Sequence, residues 1–296
     1  MASTPALPRE KSLKLERYLR GQEESRMLRQ SDVVIVSFGK SGRTWLRVLL
    51  SRYFQLHYKV KSNRLLAHDN MHVLNRAIPR VFFTHDNYLE DFTGTHRSKE
   101  PYANSRVVLL VRHPADTAVS QFFQWKHRMR GRKKFINAYP DANGELSPFA
   151  FLRDDTSGIP KVVRFMNLWA SELDSVKDIM VVRYETLRQD TAGTFGRILR
   201  FIGEAPKPEE IAQSVEFASI ENMRALEAGT FYKRTGNRMK PGDAANPESY
   251  KVRRAKVGGY RDYFTDDQNA EIERLVATTL SPAFGYNGTG TDPRVI

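Results

Sequence analysis

The chain contains no cysteine, which excludes disulfides, zinc–thiolate sites and thiol nucleophiles. It has no stretch near the roughly 18 uninterrupted apolar residues that a membrane-spanning helix needs. Its first ten residues, Met1 to Glu10, carry no apolar core and so form no secretory signal. These absences predict a soluble, cytoplasmic protein without integral membrane association. Internal repeats and low-complexity tracts are also missing. Acid is scarce beside base: 34 Asp+Glu stand against 47 Lys+Arg, a formal net charge of +13 over 296 residues. Such an excess suits a polyanionic partner, whether nucleic acid, anionic lipid or a nucleotide with several phosphates, and charge alone does not choose among them. The length admits one large domain or two small ones, with a substantial core.

Along the chain, short apolar runs alternate with helix-permissive stretches. Strands are expected at about Asp32–Ser37, Val81–Thr84, Arg106–Val111 and Ile179–Tyr184. Helices are expected at about Thr44–Leu56, Pro114–Met129, 160–177, Ala192–Ile202, 208–216 and Asp266–Thr279, with a short one around Met71–Arg76. Residues 9–30 read as a short N-terminal helix and an exposed lead-in, and residues 130–160 as a long loop or lid. The alternation argues an α/β fold, a single domain with a central, mostly parallel sheet flanked by helices.

The stretch Ser37-Phe38-Gly39-Lys40-Ser41-Gly42-Arg43-Thr44-Trp45 sits between a buried strand and an amphipathic helix. A tight loop there aims backbone N–H groups and the positive end of a helix dipole at one point, and glycine permits close approach. The segment reads as a phosphate cradle, or more plainly as a strand–helix turn that happens to hold a lysine. Gly39-Lys40-Ser41 matches the end of the Walker A pattern, but the first glycine of that pattern would stand at Val34, inside the strand.

Further positions fit an anion site. Arg112 ends a strand, and Ser120 follows on a helix; a guanidinium offers a bidentate fork for a phosphate monoester. His85 ends another strand, at the edge where open α/β sheets bind ligands. Its unperturbed pKa, near 6.5, suits a general base. Tyr184 ends the fourth strand, and Arg253-Arg254-Ala255 lies in a basic stretch running to Thr265. Each has a plainer reading: a cap, a structural histidine, a core tyrosine, a solvated basic loop.

Taken in order, these segments resemble the PAPS-dependent sulfotransferases, whose donor is 3′-phosphoadenosine 5′-phosphosulfate (PAPS) and whose nucleotide product is PAP. Lys-Ser-Gly-x-Thr-Trp resembles that family's 5′-phosphosulfate loop, with Gly39 in place of proline and Arg43 in place of threonine. Arg112 to Ser120 resembles its 3′-phosphate loop, and Thr84-His85 its base-bearing strand end, with Phe83 where many cytosolic members have lysine. Arg183-Tyr184-Glu185 resembles the adenine-contacting stretch. Arg253-Arg254-Ala255, followed by Gly258 and Tyr260, resembles the closing Arg-Lys-Gly segment.

The resemblance implies a P-loop-like sulfotransferase fold, with residues 1–30 as lead-in and 31–296 as one sulfotransferase domain. It implies His85 as general base and Lys40 as leaving-group stabiliser. The donor would be held by Lys40, Ser41, Gly42, Arg43, Thr44, Trp45, Arg112, Ser120, Tyr184, Arg253, Arg254 and Ala255, with no metal required. The partner implied is a small-molecule, lipid or glycan acceptor bearing a hydroxyl or amine, not nucleic acid. Tyr88, Phe92, Phe149 and Phe231 would suit an apolar acceptor pocket; Arg128, Arg130, Arg132, Lys133 and Lys134 would suit an acidic acceptor. Asp86 would orient the imidazole or bind acceptor. The competing readings are a P-loop kinase or NTPase, which lacks a metal carboxylate because its strands end in Arg112 and Arg183, and a non-enzymatic polyanion binder.

Overall fold

Four short runs rich in β-branched residues form one parallel sheet in the computed structural model, which describes residues 9–141, 146–232, 239–287 and 292–296. The strands are β1 (Val33–Ser37), β2 (Val81–Thr84), β3 (Arg106–Val111) and β4 (Asp178–Arg183), in spatial order β2-β1-β3-β4. In register, Val34 stands beside Phe82 on one side and Val107 on the other, and Val108 stands beside Met180. The chain steps one way from β1 to β2 and the other way to β3, so the loops after β1 and β3 diverge over a crevice.

The helices are α1 (Arg9–Gln30), α2 (Arg43–His57), α3 (Leu89–Thr93), α4 (Pro114–His127), α5 (Gly131–Ile136) and α6 (Pro148–Arg153). They continue with α7 (Ile159–Ser171), α8 (Tyr184–Gln189), α9 (Thr191–Phe201), α10 (Pro208–Phe217), α11 (Ile220–Ala228) and α12 (Asp266–Thr279). Successive strand side chains point to opposite faces, so each strand feeds two cores. Val33, Ile35, Val108, Leu110 and Val182 pack against α2 and α9. Val34, Val36, Val107, Leu109 and Val181 pack against α4, α7 and α12. Both faces are covered, which is why these strands read as continuous apolar runs. The α/β expectation holds, and the boundaries of β2, β3 and α12 fall where the sequence placed them.

Three local expectations need correction. The N-terminal helix is long, 22 residues, and not an exposed lead-in. It docks because Gly21 lets its backbone approach Tyr88 O, where a Cβ would lie 2.3 Å away, and because Arg17 pairs with Asp91 at 2.8 Å. Residues 130–160 are not one open loop: α5 and α6 form within them, α6 capped by Ser147. Around Met71–Arg76 the chain forms hydrogen-bonded turns in place of a helix, with the Asn75 side chain accepting from Ala77 N at 3.0 Å.

Candidate active site

All four strands deliver a functional segment to the same edge. β1 runs into Phe38–Gly42 and then α2, β2 into His85, β3 into Arg112, and β4 into Tyr184 at the start of α8. These segments wall a cavity of about 880 Å³ that extends from Leu13 and Arg17 on α1 to Arg253, Arg254 and Ala255.

The loop after β1 turns through left-handed backbone at Lys40 (φ 74°) and Gly42 (φ 97°). Gly42 is constrained twice: besides its φ, a Cβ there would lie 2.6 Å from Tyr184 Cδ2. Helical bonding begins with Trp45 N donating to Gly42 O at 2.9 Å, so the amides before it have no intrahelical partner. Lys40, Gly42, Arg43, Thr44 and Trp45 line the cavity; the Ser41 side chain is buried and does not.

Cations crowd this end. Burial first, then Arg128, Arg253 and Arg112, push the Lys40 ammonium down to about 7, against a smaller opposing pull from Glu227. Arg112 lies 4.5 Å from the Tyr184 ring centroid and donates to Lys40 O at 3.3 Å, while its Nε is buried without a partner. Arg253 stacks 3.6 Å over Phe123 and donates to Tyr263 Oη at 2.9 Å. Arg254 is more exposed and pairs with Asp262 at 2.6 Å. Ser120 lines the wall beside Asp116 and Val119. Ala255 is left-handed, φ 52°, the conformation in which glycine is the cheaper residue. Carboxylates offset part of this charge, with Arg253 on Glu248 at 3.2 Å and Arg112 3.7 Å from Asp116, and a cluster of cations this dense still fits a polyphosphorylated nucleotide.

Trp45 and Tyr184 meet edge to face, centroids 6.0 Å apart, and Trp45 Nε1 donates to Ala218 O at 2.8 Å. Both rings border the cavity, as an adenine site requires.

At the other end stands His85. Its Nδ1–H donates to Ser37 O at 2.7 Å, which fixes the tautomer and leaves Nε2 as acceptor. Burial first, then Arg43, hold its pKa well below the ordinary histidine value, with the Ser37 bond working the other way. The imidazole is therefore neutral at physiological pH, with its one lone pair on Nε2. That bond to Ser37 O, where β1 ends and the lysine-bearing loop begins, puts His85 in direct contact with the loop's base.

Several residues do not hold the places expected of them. Asp86 does not orient His85; it is bound to Lys99 Nζ at 2.6 Å and Tyr102 Oη at 2.8 Å, and Ser37 O takes the orienting role. Tyr88, Phe92, Phe149 and Phe231 do not line the cavity: Phe92 packs on Tyr18, Phe149 on Phe264, and Phe231 on Phe217. The aromatic wall is Phe38, Phe135, Tyr139 and Phe165. Of the five basic residues from 128 to 134 only Lys133 faces the cavity, while Arg128 is buried against Glu227 at 2.8 Å.

Others escaped sequence reading. Glu227 accepts from Arg128 and from the backbone N–H of Lys251 and Val252, at 2.7 Å or more, and so anchors the basic stretch to α11. Asp116 accepts from Gly258 N at 2.8 Å and Tyr260 N at 3.0 Å. The Arg-x-Pro-x-Asp spacing from Arg112 to Asp116 was the available signal for the second.

Among the described residues, no helix is long and apolar enough to cross a membrane. Comparison with known proteins agrees with this geometry. The chain is 24% identical over 268 residues to cytosolic sulfotransferase 3 of Arabidopsis thaliana, covering 84% of this chain and 77% of that protein. It is 24% identical over 279 residues to flavonol 4′-sulfotransferase of Flaveria chlorifolia, covering 88% and 82%. In fold it resembles mouse sulfotransferase SULT7A1 complexed with PAP, with a TM-score of 0.58 at 21% identity over 84% of each chain. It also resembles retinol dehydratase in complex with androsterone and inactive cofactor PAP, with a TM-score of 0.58 at 17% identity over 97% and 96%. The sulfotransferase domain model matches residues 30–283, most of the chain, and the protein belongs to that family.

Proposed function

We propose that the protein is a cytoplasmic sulfotransferase that moves the sulfuryl group of PAPS to a hydroxyl on a small-molecule, lipid or glycan acceptor. The donor supplies an activated sulfur–oxygen bond; this chain positions it and manages charge and protons. Sulfuryl transfer, like phosphoryl transfer, proceeds by in-line displacement through a loose transition state, so positioning and electrostatics carry most of the rate.

His85 Nε2 takes the proton of the acceptor hydroxyl as that oxygen bonds to sulfur. The bond from sulfur to the bridging phosphate oxygen breaks, and its electron pair leaves with PAP. Lys40, protonated once a phosphate lies beside it, neutralises the charge growing on that leaving oxygen. The amides of Ser41, Gly42, Arg43 and Thr44, with the Thr44 hydroxyl, hold the 5′-phosphate. Arg112 and Ser120 hold the 3′-phosphate from one side, and Arg253, Arg254 and Ala255 close on it from the other. Trp45 and Tyr184 flank the adenine.

The observation that carries this reading is the 2.7 Å hydrogen bond from His85 to Ser37 O, at the head of the lysine-bearing loop. It sets a neutral base against a cationic anion cradle. The test is transfer from radiolabelled PAPS into a cell extract, with thermal-shift titration alongside. Stabilisation by PAP without Mg²⁺, and loss of transfer in His85→Ala with PAP affinity kept within a few-fold, are expected. Stabilisation by ATP·Mg²⁺ alone, or full activity in His85→Ala, overturns it.

A further inference from the structure

Arg43, at the first position of α2, stands where the family form quoted above has threonine, and it does not point to solvent. Its Nη2 lies 2.5 Å from His85 Nε2 and donates to it. The other ring nitrogen is already committed to Ser37 O. In this state the one lone pair able to accept an acceptor's proton is occupied by a guanidinium, and the base is masked. An incoming neutral hydroxyl must break a charge-assisted hydrogen bond and offers only a weak substitute; an anion offers the guanidinium a stronger partner.

The surroundings favour the anion. Lys133 faces the same cavity and is close enough to His85 and Arg43 to disfavour further positive charge on either. Lys161 and Arg164 line the chamber beyond, with Lys161 3.9 Å over the Tyr139 ring. The carboxylates at this end are largely engaged elsewhere: Asp86 by Lys99 and Tyr102, and Asp91 by Arg17. Glu90 remains as an acidic member of the lining, and Glu24, bonded to Thr84 with its carboxyl pushed up to about 7 mainly by burial, is near enough to act on Arg43. Phe38, Phe135 and Phe165 add apolar surface to the same cavity.

Building on the sulfotransferase reading, we propose that Arg43 masks His85 until the acceptor arrives, and that the acceptor carries an anionic group beside its reacting hydroxyl that draws the guanidinium off Nε2. A carboxylate, a sulfate or a phosphate meets that requirement. The acceptor is thus an acidic hydroxyl compound with an apolar body, and Arg43 acts as a specificity-determining residue.

The test uses the full chain saturated with PAP and follows the His85 ring nitrogens by NMR, assigned by loss of the signal in His85→Asn. The probes are 3-hydroxybenzoate and 3-hydroxybenzyl alcohol, which differ in the anionic group. Wild-type protein is expected to bind the carboxylate at least about tenfold more tightly, the scale of one charge-assisted hydrogen bond, with a shift at Nε2. In Arg43→Thr the Nε2 signal is expected in its shifted position without any probe, and the preference to fall within about threefold. Equal affinities in wild type, no binding of either probe, release of Nε2 by PAP alone, or a preference that survives in Arg43→Thr each overturns the proposal. Because no transfer is needed, its failure is separable from that of the sulfotransferase reading, which fails when PAP does not bind or PAPS labels nothing.

Discussion

Asp116 Oδ2 accepts a hydrogen bond from Gly258 N at 2.8 Å across 142 residues of chain. Its other oxygen takes Tyr260 N at 3.0 Å, and the carboxylate lies 3.7 Å from Arg112. One buried side chain on α4 thereby joins both halves of the proposed 3′-phosphate site.

Asp116→Ala should loosen that join. Two backbone donors lose their acceptor, each at a cost of about 1–3 kcal/mol if left buried and unpaired. PAP affinity is expected to fall at least about tenfold, and Tm to drop with it. Calorimetric titration with PAP and a thermal melt check both. Unchanged affinity in a folded variant would show that the basic stretch does not depend on this clamp.

The glycine that the related Arg-Lys-Gly segment carries is replaced here by Ala255, at φ 52°. Left-handed backbone costs a residue with a Cβ about 1–2 kcal/mol, and glycine's greater freedom in the unfolded chain offsets part of the gain from replacing it. Ala255→Gly is therefore expected to stabilise the protein by up to about 1 kcal/mol, with PAP affinity equal or better. Chemical denaturation measures it. A destabilised variant would mean that the observed turn is not the ground state of this stretch.

Sequence reading placed the segments that are local. The strand ends, the β1 loop and the Arg112 turn each lie within a dozen residues, and hydrophobic runs mark the strands that present them. It missed what depends on residues far apart. Arg43 and His85 are 42 positions from each other, and Thr84 and Glu24 are 60. Nothing in either stretch announces its partner. Helix α1 was underestimated for a related reason: it buries few apolar side chains and docks through Gly21, Ser25 and Leu28 and the Arg17 ion pair. The aromatic lining of the cavity was misassigned because a loop phenylalanine carries no sign of which cavity it faces.

PAP binding should depend on pH through Lys40. Its free-state pKa is pushed down to about 7, mainly by burial, and a phosphate beside it favours the protonated form. Above pH 7 binding must therefore take up a proton, and affinity falls as pH rises, by at most about tenfold per unit for one site. Lys251, held well below its ordinary value by burial and by Lys40, contributes in the same direction. Titration calorimetry in buffers of different ionisation enthalpy measures the uptake. Lys40→Arg keeps a fixed charge and should reduce uptake without abolishing it. Proton release on binding above neutrality would contradict the assignment.

Glu24 gives a stability prediction from a pKa shifted the other way, upward. It accepts from Thr84 Oγ1 at 3.1 Å, one residue before His85. Burial first, and Asp86 in the same direction, push its carboxyl up to about 7, with the Thr84 bond opposing them. A folded-state pKa above the unfolded one means that the native protein holds the proton more tightly. The stabilisation is full below about pH 4.5, the unfolded value, and is lost as pH rises through about 7. Glu24→Gln is uncharged at every pH and can still accept from Thr84. Relative to wild type, the variant should gain in Tm between about pH 5 and pH 8; about 1 kcal/mol corresponds to roughly 2–4 °C in large domains. Paired melts across that range test it. Parallel profiles for the two proteins would show that Glu24 ionises normally, and with it that α1 does not seal this side of the site.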